Sequence, residues 1–168
     1  MANLKDCSKF NIHDDYYTRK KSWEQIKDYI PNDKIIWEFC LLNSNEQSKK
    51  YLQELNFNVV GDKTIDFFEN NMGEVLVSNI PFSTDLKRKM LKRLVELDKP
   101  FIIIMNSMNL FTKYFKEIFE DKDLYFIYPS TKINFDKYKD GKLEVSKNNT
   151  SFYSVYVCYK IINKNVWI

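Results

Sequence analysis

The sequence predicts an α/β protein in which a mostly parallel sheet is flanked by helices. Three observations support this fold class. Short runs of apolar and β-branched residues alternate with segments of helical periodicity, which indicates βαβ crossovers. The run 101–105 (FIIIM) is apolar throughout, as expected of a parallel strand that is buried on both faces. The last part of the chain instead alternates apolar and polar residues, which predicts an antiparallel C-terminal hairpin.

The first half of the chain is predicted to hold two helices and up to three strands. A helix over 22–30 (SWEQIKDYI) gathers its tryptophan and two isoleucines on one face, and the next residue, a proline, ends it. A strand over 34–39 (KIIWEF) follows. The second helix spans 45–57 (NEQSKKYLQELNF), with its first asparagine as N-cap. A second strand opens at 58–60 (NVV), and 65–68 (IDFF) is a short third strand.

The second half continues the alternation of strands and helices. The apolar run 74–78 (EVLVS) is a strand, and 84–98 (TDLKRKMLKRLVELD) is a helix with an apolar stripe of three leucines and a methionine. The buried strand 101–105 comes next, followed by a helix over 112–121 (TKYFKEIFED). A further strand covers 124–128 (LYFIY).

The sequence is read as one domain with three parts. Residues 1–21 form an N-terminal arm, 22–130 the parallel α/β core and 131–168 the antiparallel end. In that end the dipeptide Asp140-Gly141 marks a hairpin turn between two alternating runs, 132–138 (KINFDKY) and 151–161 (SFYSVYVCYKI). A length of 168 residues suffices for a single hydrophobic core.

Composition and charge describe an ordinary globular protein. The net charge of +3 permits nucleic-acid binding but is lower than a dedicated binder usually carries. The cysteines, at positions 7, 40 and 158, lack metal-ligand spacing, which predicts reduced thiols and no metal. The first ten residues have no apolar core, and no apolar run approaches the roughly 20 residues that span a bilayer. We therefore expect an intracellular, most simply cytoplasmic, protein with no membrane partner.

Polar residues cluster where the predicted strands end. In parallel α/β sheets, ligands bind beyond the carboxyl ends of the strands. The segments at those ends are 38–45, Asp62, Asp66, 79–83 and 106–109. Their amides and carboxylates exceed what closing a sheet requires, so we expect the functional site there.

One of these segments resembles a known motif. The stretch SNIPFS, at 78–83, resembles the Asn/Asp-Pro-Pro-Tyr/Phe motif of class I S-adenosylmethionine-dependent amino-methyltransferases, especially adenine-N6 DNA methyltransferases. DDYYTRK (14–20) is similar to their N-terminal Tyr-Thr-Pro segment, and IIWEFCLLNSN (35–45) stands where that family has its glycine-rich cofactor loop. IDFFEN (65–70) resembles the Asp-Phe element under the cofactor adenine. The similar segments occur in the family's order.

The resemblance implies a Rossmann-like class I methyltransferase sandwich with S-adenosylmethionine as cofactor. It makes the Asn79 side chain and the Ile80 carbonyl the acceptors for a substrate amine. Pro81 would rigidify the loop, and Phe82 would stack on a flipped base. The residues it implies for cofactor binding are Tyr17, Thr18, Glu38, Cys40, Asn43, Asp62 and Asp66.

The sequence also departs from the family pattern at three places. The cofactor loop has no glycine in 40–44, although close approach of backbone to a ligand favours glycine. Ile80 replaces the first proline of the motif, and Arg19 replaces the proline of the N-terminal segment. These departures predict that the cofactor site is weakened or lost.

The sequence leaves several interpretations open. Glu38 is either a cofactor contact or a solvated carboxylate, and Asp66 either binds the adenine or caps a turn. The basic run 87–93 (KRKMLKR) either holds phosphates or is a solvated helix surface. The chain is either an active methyltransferase on adenine in DNA or RNA, or on a protein glutamine, or a non-catalytic subunit that binds nucleic acid or a protein partner.

Overall fold

The computed structural model describes residues 16–41, 46–139, 142–144 and 150–168. The strands are β1 Tyr16–Thr18, β2 Ile35–Trp37, β3 Asn58–Val60, β4 Val75–Asn79, β5 Phe101–Asn106, β6 Leu124–Tyr128, β7 Phe135–Lys139, β8 Lys142–Glu144, β9 Ser154–Tyr159 and β10 Val166–Trp167. The helices are α1 Lys20–Glu24, α2 Gln47–Glu54, α3 Thr84–Leu97 and α4 Lys113–Ile118, with 3₁₀ turns at Lys27–Tyr29 and Ser107–Phe111. In these described ranges no helix combines the length and the apolarity that crossing a membrane requires.

The main sheet has seven strands in the order β10-β6-β9-β5-β4-β2-β3. β2 runs parallel to both β3 and β4, and β4 runs parallel to β5. β9 is antiparallel to both of its neighbours, β5 and β6. The predicted Rossmann-like α/β sandwich with a mostly parallel sheet is therefore confirmed. The C-terminal part supplies a strand to the middle of this sheet as well as a hairpin.

A second, three-stranded sheet joins the first described strand to the hairpin that follows β6. Its order is β1-β7-β8, and both pairings are antiparallel. The β7–β8 pair is an antiparallel hairpin, as predicted for this end of the chain, and its Asp140-Gly141 turn lies outside the described residues. The run 151–161, predicted as the second strand of that hairpin, instead contains β9 and lies between β5 and β6 in the main sheet. Arg19 and Asp136 form an ion pair of 2.7 Å that fastens the arm to the hairpin. No local pattern in the sequence indicated that the arm would pair with the hairpin.

The core is divided by the main sheet into two apolar layers. Side chains alternate across β5, so Phe101, Ile103 and Met105 enter one layer while Ile102 and Ile104 enter the other. The first layer is covered by α3 and α4, and the second by α1 and α2. All five of these residues are at most 2% exposed, which agrees with the prediction of a strand buried on both faces.

Two predicted elements in the first half are wrong in detail. Residues 65–68 form turns instead of a third strand, because the Asp66 carboxylate accepts a hydrogen bond from the backbone N–H of Phe68 (2.8 Å). The predicted helix over 22–30 is two pieces, α1 and the 3₁₀ turn at Lys27–Tyr29. The predicted N-cap of α2, Asn45, lies outside the described residues, and the cap position is held by Glu46.

Two helices end on residues in the left-handed region that are not glycine. Asn56, just beyond α2, has φ 69°, and Asp98, the C-cap of α3, has φ 50°. The Asp98 carboxylate accepts hydrogen bonds from Lys160 (2.8 Å), Tyr159 (2.7 Å) and Lys122 (3.0 Å). These bonds hold the pKa of Asp98 well below its usual range. The carboxylate thus ties the end of α3 to β9 and to the loop before β6.

The two-layer core predicts unequal effects of substitutions on the two faces of α3. Leu94 is completely buried against the sheet, whereas Lys92 on the same helix is exposed. We expect Leu94→Ala to lower the free energy of unfolding by about 2–5 kcal/mol, because it removes buried methyl groups and leaves a cavity. Lys92→Ala, the matched control, should change it by less than about 0.5 kcal/mol. Urea unfolding followed by circular dichroism measures both; equal effects would contradict the described packing.

Candidate functional site

The carboxyl ends of β2, β3, β4 and β5 meet along one edge of the main sheet, which we call the carboxyl edge. Trp37, at the end of β2, is in register with Val60 of β3 and Leu76 of β4. Asn79, at the end of β4, is in register with Ile104 of β5. The segments that follow these strands therefore lie side by side, as the sequence predicted from strand order alone.

The motif 79–82, which we call the tip, closes β4 at this edge. The Asn79 side chain is half-buried, and its Nδ2 donates to the backbone carbonyl of Tyr16 in β1 at 3.4 Å. Ile80 and Pro81 are buried, and the Ile80 N–H donates to the Ile104 carbonyl at 3.4 Å. The tip therefore points its amide at the small sheet formed by β1, β7 and β8.

The Phe82 ring is part of an aromatic cluster with rings of the small sheet and its neighbours. Its centroid lies 4.9 Å from Tyr16, 5.0 Å from Phe152 and 6.0 Å from Phe135. Contacts of this kind are favourable by about 0.5–1.5 kcal/mol per pair beyond area burial. The ring that the resemblance assigned to base stacking thus packs against three rings of its own chain while remaining partly exposed.

A buried lysine of α3 is hydrogen-bonded to the tip. Lys87 in α3 is 5% exposed, and its ammonium donates to the Phe82 carbonyl (3.1 Å) and to Asn109 Oδ1 (2.9 Å). The Tyr114 hydroxyl donates to the same Asn109 oxygen at 2.6 Å. We call these groups the Lys87 network. It connects the loop after β4 to the 3₁₀ turn after β5.

The burial of Lys87 corrects one interpretation of the basic run 87–93. The sequence suggested that this run is either phosphate-binding or solvated, yet its first residue faces the core. The spacing of the sequence indicates this burial, because Lys87 precedes two buried residues, Met90 and Leu91, by three and four positions. Helical periodicity therefore placed Lys87 on the apolar stripe.

Glu38 follows β2 and is almost completely buried, with 1% of its surface exposed. Its carboxylate accepts hydrogen bonds from the Ser78 hydroxyl and from the backbone N–H of Cys40 (3.2 Å). Burial raises the pKa of Glu38 to about 7, and the two hydrogen bonds only partly oppose this shift. The alternative of a solvated carboxylate is wrong. Cys40, half-buried, contributes its backbone N–H here.

The two aspartates at this edge cap their own turns. Asp62 accepts hydrogen bonds from the Thr64 hydroxyl and from the Thr64 N–H (2.7 Å), which hold the pKa of Asp62 below its usual range. Asp66 is 9% exposed and caps the turn at Phe68, the second of its two predicted roles. In the part of the chain that is described, no three Cys, His, Asp or Glu side chains are grouped to hold a metal ion.

Aromatic rings fill the space between the segments after β2 and β3. Phe39 stacks on Phe67 with centroids 4.3 Å apart and an interplanar angle of 24°. Trp37 lies 5.4 Å from the same Phe67 ring. Phe67 is 0% exposed, and Leu41 is 4% exposed. The bulky residues Phe39 and Leu41 are therefore packed inward.

The remaining predicted cofactor residues lie in β1 or outside the described chain. Tyr17 is half-buried and is in register with Asp136 of β7. Thr18 is 3% exposed, and its hydroxyl makes no hydrogen bond to any described residue. Asn43 lies outside the described ranges. Thr18 is the one predicted site residue whose buried polar atom lacks a partner among the described residues.

The elevated pKa of Glu38 generates a prediction about stability and pH. Since the folded protein holds this proton up to about pH 7 and the unfolded chain only up to 4.5, stability falls as pH rises between these values. Each unit of difference is worth about 1.4 kcal/mol. We expect Glu38→Gln to flatten this fall and to make the protein more stable than wild type at about pH 8. Chemical denaturation at several pH values measures it, with Glu120→Gln, an exposed carboxylate, as control.

Comparisons with known proteins give distant likenesses only. No family model and no curated protein matches the sequence. A protein from Pyrococcus horikoshii assigned as an RNA methyltransferase is 16% identical, with 85% of this chain and 82% of that chain covered and a TM-score of 0.43. A tRNA methyltransferase from Aquifex aeolicus is 14% identical (83% and 68% covered, TM-score 0.39), and TehB from Haemophilus influenzae is 12% identical (84% and 62%, TM-score 0.42). Likenesses this remote do not identify a function, which must be inferred from the site itself.

Proposed function

We propose that this protein is a methyltransferase-fold relative of S-adenosylmethionine-dependent adenine-N6 nucleic-acid methyltransferases whose cofactor site is weakened or lost. It would then act as a non-catalytic binding or scaffold subunit, with the tip as a remnant of the ancestral site. The motif order and the position of the tip at the carboxyl edge support the ancestry. The packing around Phe67 supports the loss.

The single observation that carries this proposal is the Phe39–Phe67 stack. In the resemblance, the Asp-Phe element at Asp66 and Phe67 lies under the cofactor adenine. Here the Phe67 ring is fully buried, and Phe39 of the former cofactor loop is stacked on it at 4.3 Å. An adenine on that face would have to displace Phe39, which would cost the burial of a large aromatic side chain.

The carboxylates at this edge support the same conclusion. A cofactor with ribose hydroxyls and an ammonium group needs carboxylate oxygens that face open space. Glu38 is instead closed off by Ser78 and Cys40, and its raised pKa keeps a large fraction of it protonated near neutral pH. Asp66 is occupied by its own turn. The described residues are therefore a poor fit for S-adenosylmethionine. Without this donor, no methyl group would be transferred at this edge.

The alternative is a minimal active amino-methyltransferase acting on adenine or on a protein glutamine. Two observations favour it. Asn79 is retained at the end of β4, and because its Nδ2 donates to the Tyr16 carbonyl at 3.4 Å, this bond does not use its Oδ1, the acceptor that the resemblance assigns to a substrate amine. The Thr18 hydroxyl is buried without a hydrogen-bond partner in the described chain, as expected of an atom whose partner is a bound ligand.

Calorimetric titration with S-adenosylmethionine and its demethylated product distinguishes the two functions. We expect no binding tighter than about 1 mM, because the cofactor would have to expel Phe39. Incubation with a radiolabelled methyl donor and DNA or RNA should transfer no label. Micromolar binding that is lost in Asp66→Ala would contradict the proposed loss of the cofactor site, and transfer of label would establish the active alternative.

A control variant keeps this titration interpretable. Asp98→Ala removes another hydrogen-bonded carboxylate, at the opposite end of β5 and away from the carboxyl edge. Thermal unfolding of both variants shows whether each is folded. Binding that survives Asp98→Ala but not Asp66→Ala would locate the donor site at the predicted edge and overturn the proposed loss.

A further inference from the structure

Three large side chains are exposed on the two segments that meet at the end of the main sheet where β5 stops. Phe111 is 83% exposed, and Met108 and Tyr153 are each 67% exposed. Met108 and Phe111 belong to the 3₁₀ turn after β5, and Tyr153 directly precedes β9. The Ser107 N–H donates to the Tyr153 carbonyl at 2.9 Å, so the two segments are joined through their backbones. We call Met108, Phe111 and Tyr153 the rim patch.

Lysines outnumber carboxylates on the segments that carry or adjoin this patch in the chain and in the sheets. Residues 106–117, 129–137 and 150–154 contain four lysines and two carboxylates. Both carboxylates are paired, Asp136 with Arg19 at 2.7 Å and Glu117 with Lys113 at 3.6 Å. These segments therefore offer cationic groups beside apolar surface, and their carboxylates are already neutralised by basic partners.

Lysines and aromatic rings are interleaved here. Lys132 Nζ lies 4.7 Å from the centroid of the Tyr153 ring, and Lys137 Nζ lies 4.5 Å from the centroid of Tyr16. Lys113, next to the patch, is paired with Glu117 at 3.6 Å. A cation placed against a ring keeps its charge available to an anion while the ring presents a stacking face.

We infer that the rim patch binds a single-stranded nucleic acid. Exposed rings provide stacking platforms for unpaired bases, and lysines beside them neutralise the phosphates that connect those bases. A duplex fits this surface less well, because its bases are stacked on one another and leave no free face for Phe111 or Tyr153. An acidic peptide would satisfy the lysines but would leave the rings without partners.

The patch is connected to the tip through the Lys87 network. The ammonium of Lys87 bonds the Phe82 carbonyl of the tip and Asn109, which lies in the same 3₁₀ turn as Met108 and Phe111. The segments that carry the rim patch and the tip are thus joined by hydrogen bonds. The inference rests on the proposed function for this choice of edge, but its test requires no methyl donor and is independent of the titration above.

The test is fluorescence-anisotropy binding of labelled oligonucleotides to the full chain. A single-stranded oligothymidylate should bind, an abasic phosphodiester of the same length about tenfold more weakly, and the corresponding duplex more weakly as well. Phe111→Ala and Tyr153→Ala should each weaken binding of the oligothymidylate about fivefold or more and leave the abasic strand unaffected. Both side chains are exposed, so both variants should fold.

Two further variants separate stacking from charge. Phe111→Leu keeps an apolar side chain without a π face and should lose as much affinity as Phe111→Ala. Phe111→Trp, which keeps an aromatic ring, should bind the oligothymidylate as tightly as wild type. Lys132→Ala should reduce the slope of log affinity against log salt by about 0.7, while Lys89→Ala on the outer face of α3 should leave it unchanged.

Three results would overturn the inference. The first is equal affinity for the oligothymidylate and the abasic strand, which would show general attraction of a polyanion. The second is tighter binding of polyglutamate than of the oligothymidylate, which would point to an acidic protein. The third is no measurable binding of the oligothymidylate at low salt. None of these results bears on whether the protein binds S-adenosylmethionine.

Discussion

β5 is buried on both faces and paired along both edges, and this enclosure fixes the strands around it. This strand is paired with β4 on one side and β9 on the other, and its side chains enter both apolar layers. A strand so enclosed has no free edge and no solvent face, so its register is firmly fixed. The ends of its neighbours are fixed with it, which is why Asn79, Glu38 and the rim patch all lie along one edge of the sheet.

That edge differs in character along its length. Beyond β2 and β3 the chain folds inward, and Phe39, Phe67 and Leu41 are removed from water. Beyond β5 and before β9 the chain instead leaves Phe111 and Tyr153 in solvent. The cost of exposing two large rings is understandable if a partner covers them. The edge is thus packed and stabilising beyond β2 and β3, and accessible beyond β5 and before β9.

Sequence periodicity predicted most of the regular structure, because helices and buried strands leave local patterns. β6 was predicted with its observed bounds, and α3 to within one residue. The segment 65–68 was mistaken for a strand since its apolar residues pack around Phe67 while a side-chain cap at Asp66 bends the backbone. The pairing of β1 with β7 joins residues more than a hundred positions apart, and no local pattern encodes such a contact. Proximity of the site segments was predictable from strand order; the bonds that occupy their carboxylates were not.

The helix ends at Asn56 and Asp98 have a consequence for the unfolded chain. With three glycines in 168 residues, this polypeptide is stiffer when denatured than one that turns its helices with glycine, so ordering it costs less backbone entropy. The cost appears in the native state, where each such residue occupies a less favoured conformation. At Asp98 that strain is opposed by bonds from Lys160, Tyr159 and Lys122. A glycine at this position would relax the backbone but remove all three hydrogen bonds. The side chain of Asp98 therefore matters to this helix end as much as its backbone conformation does.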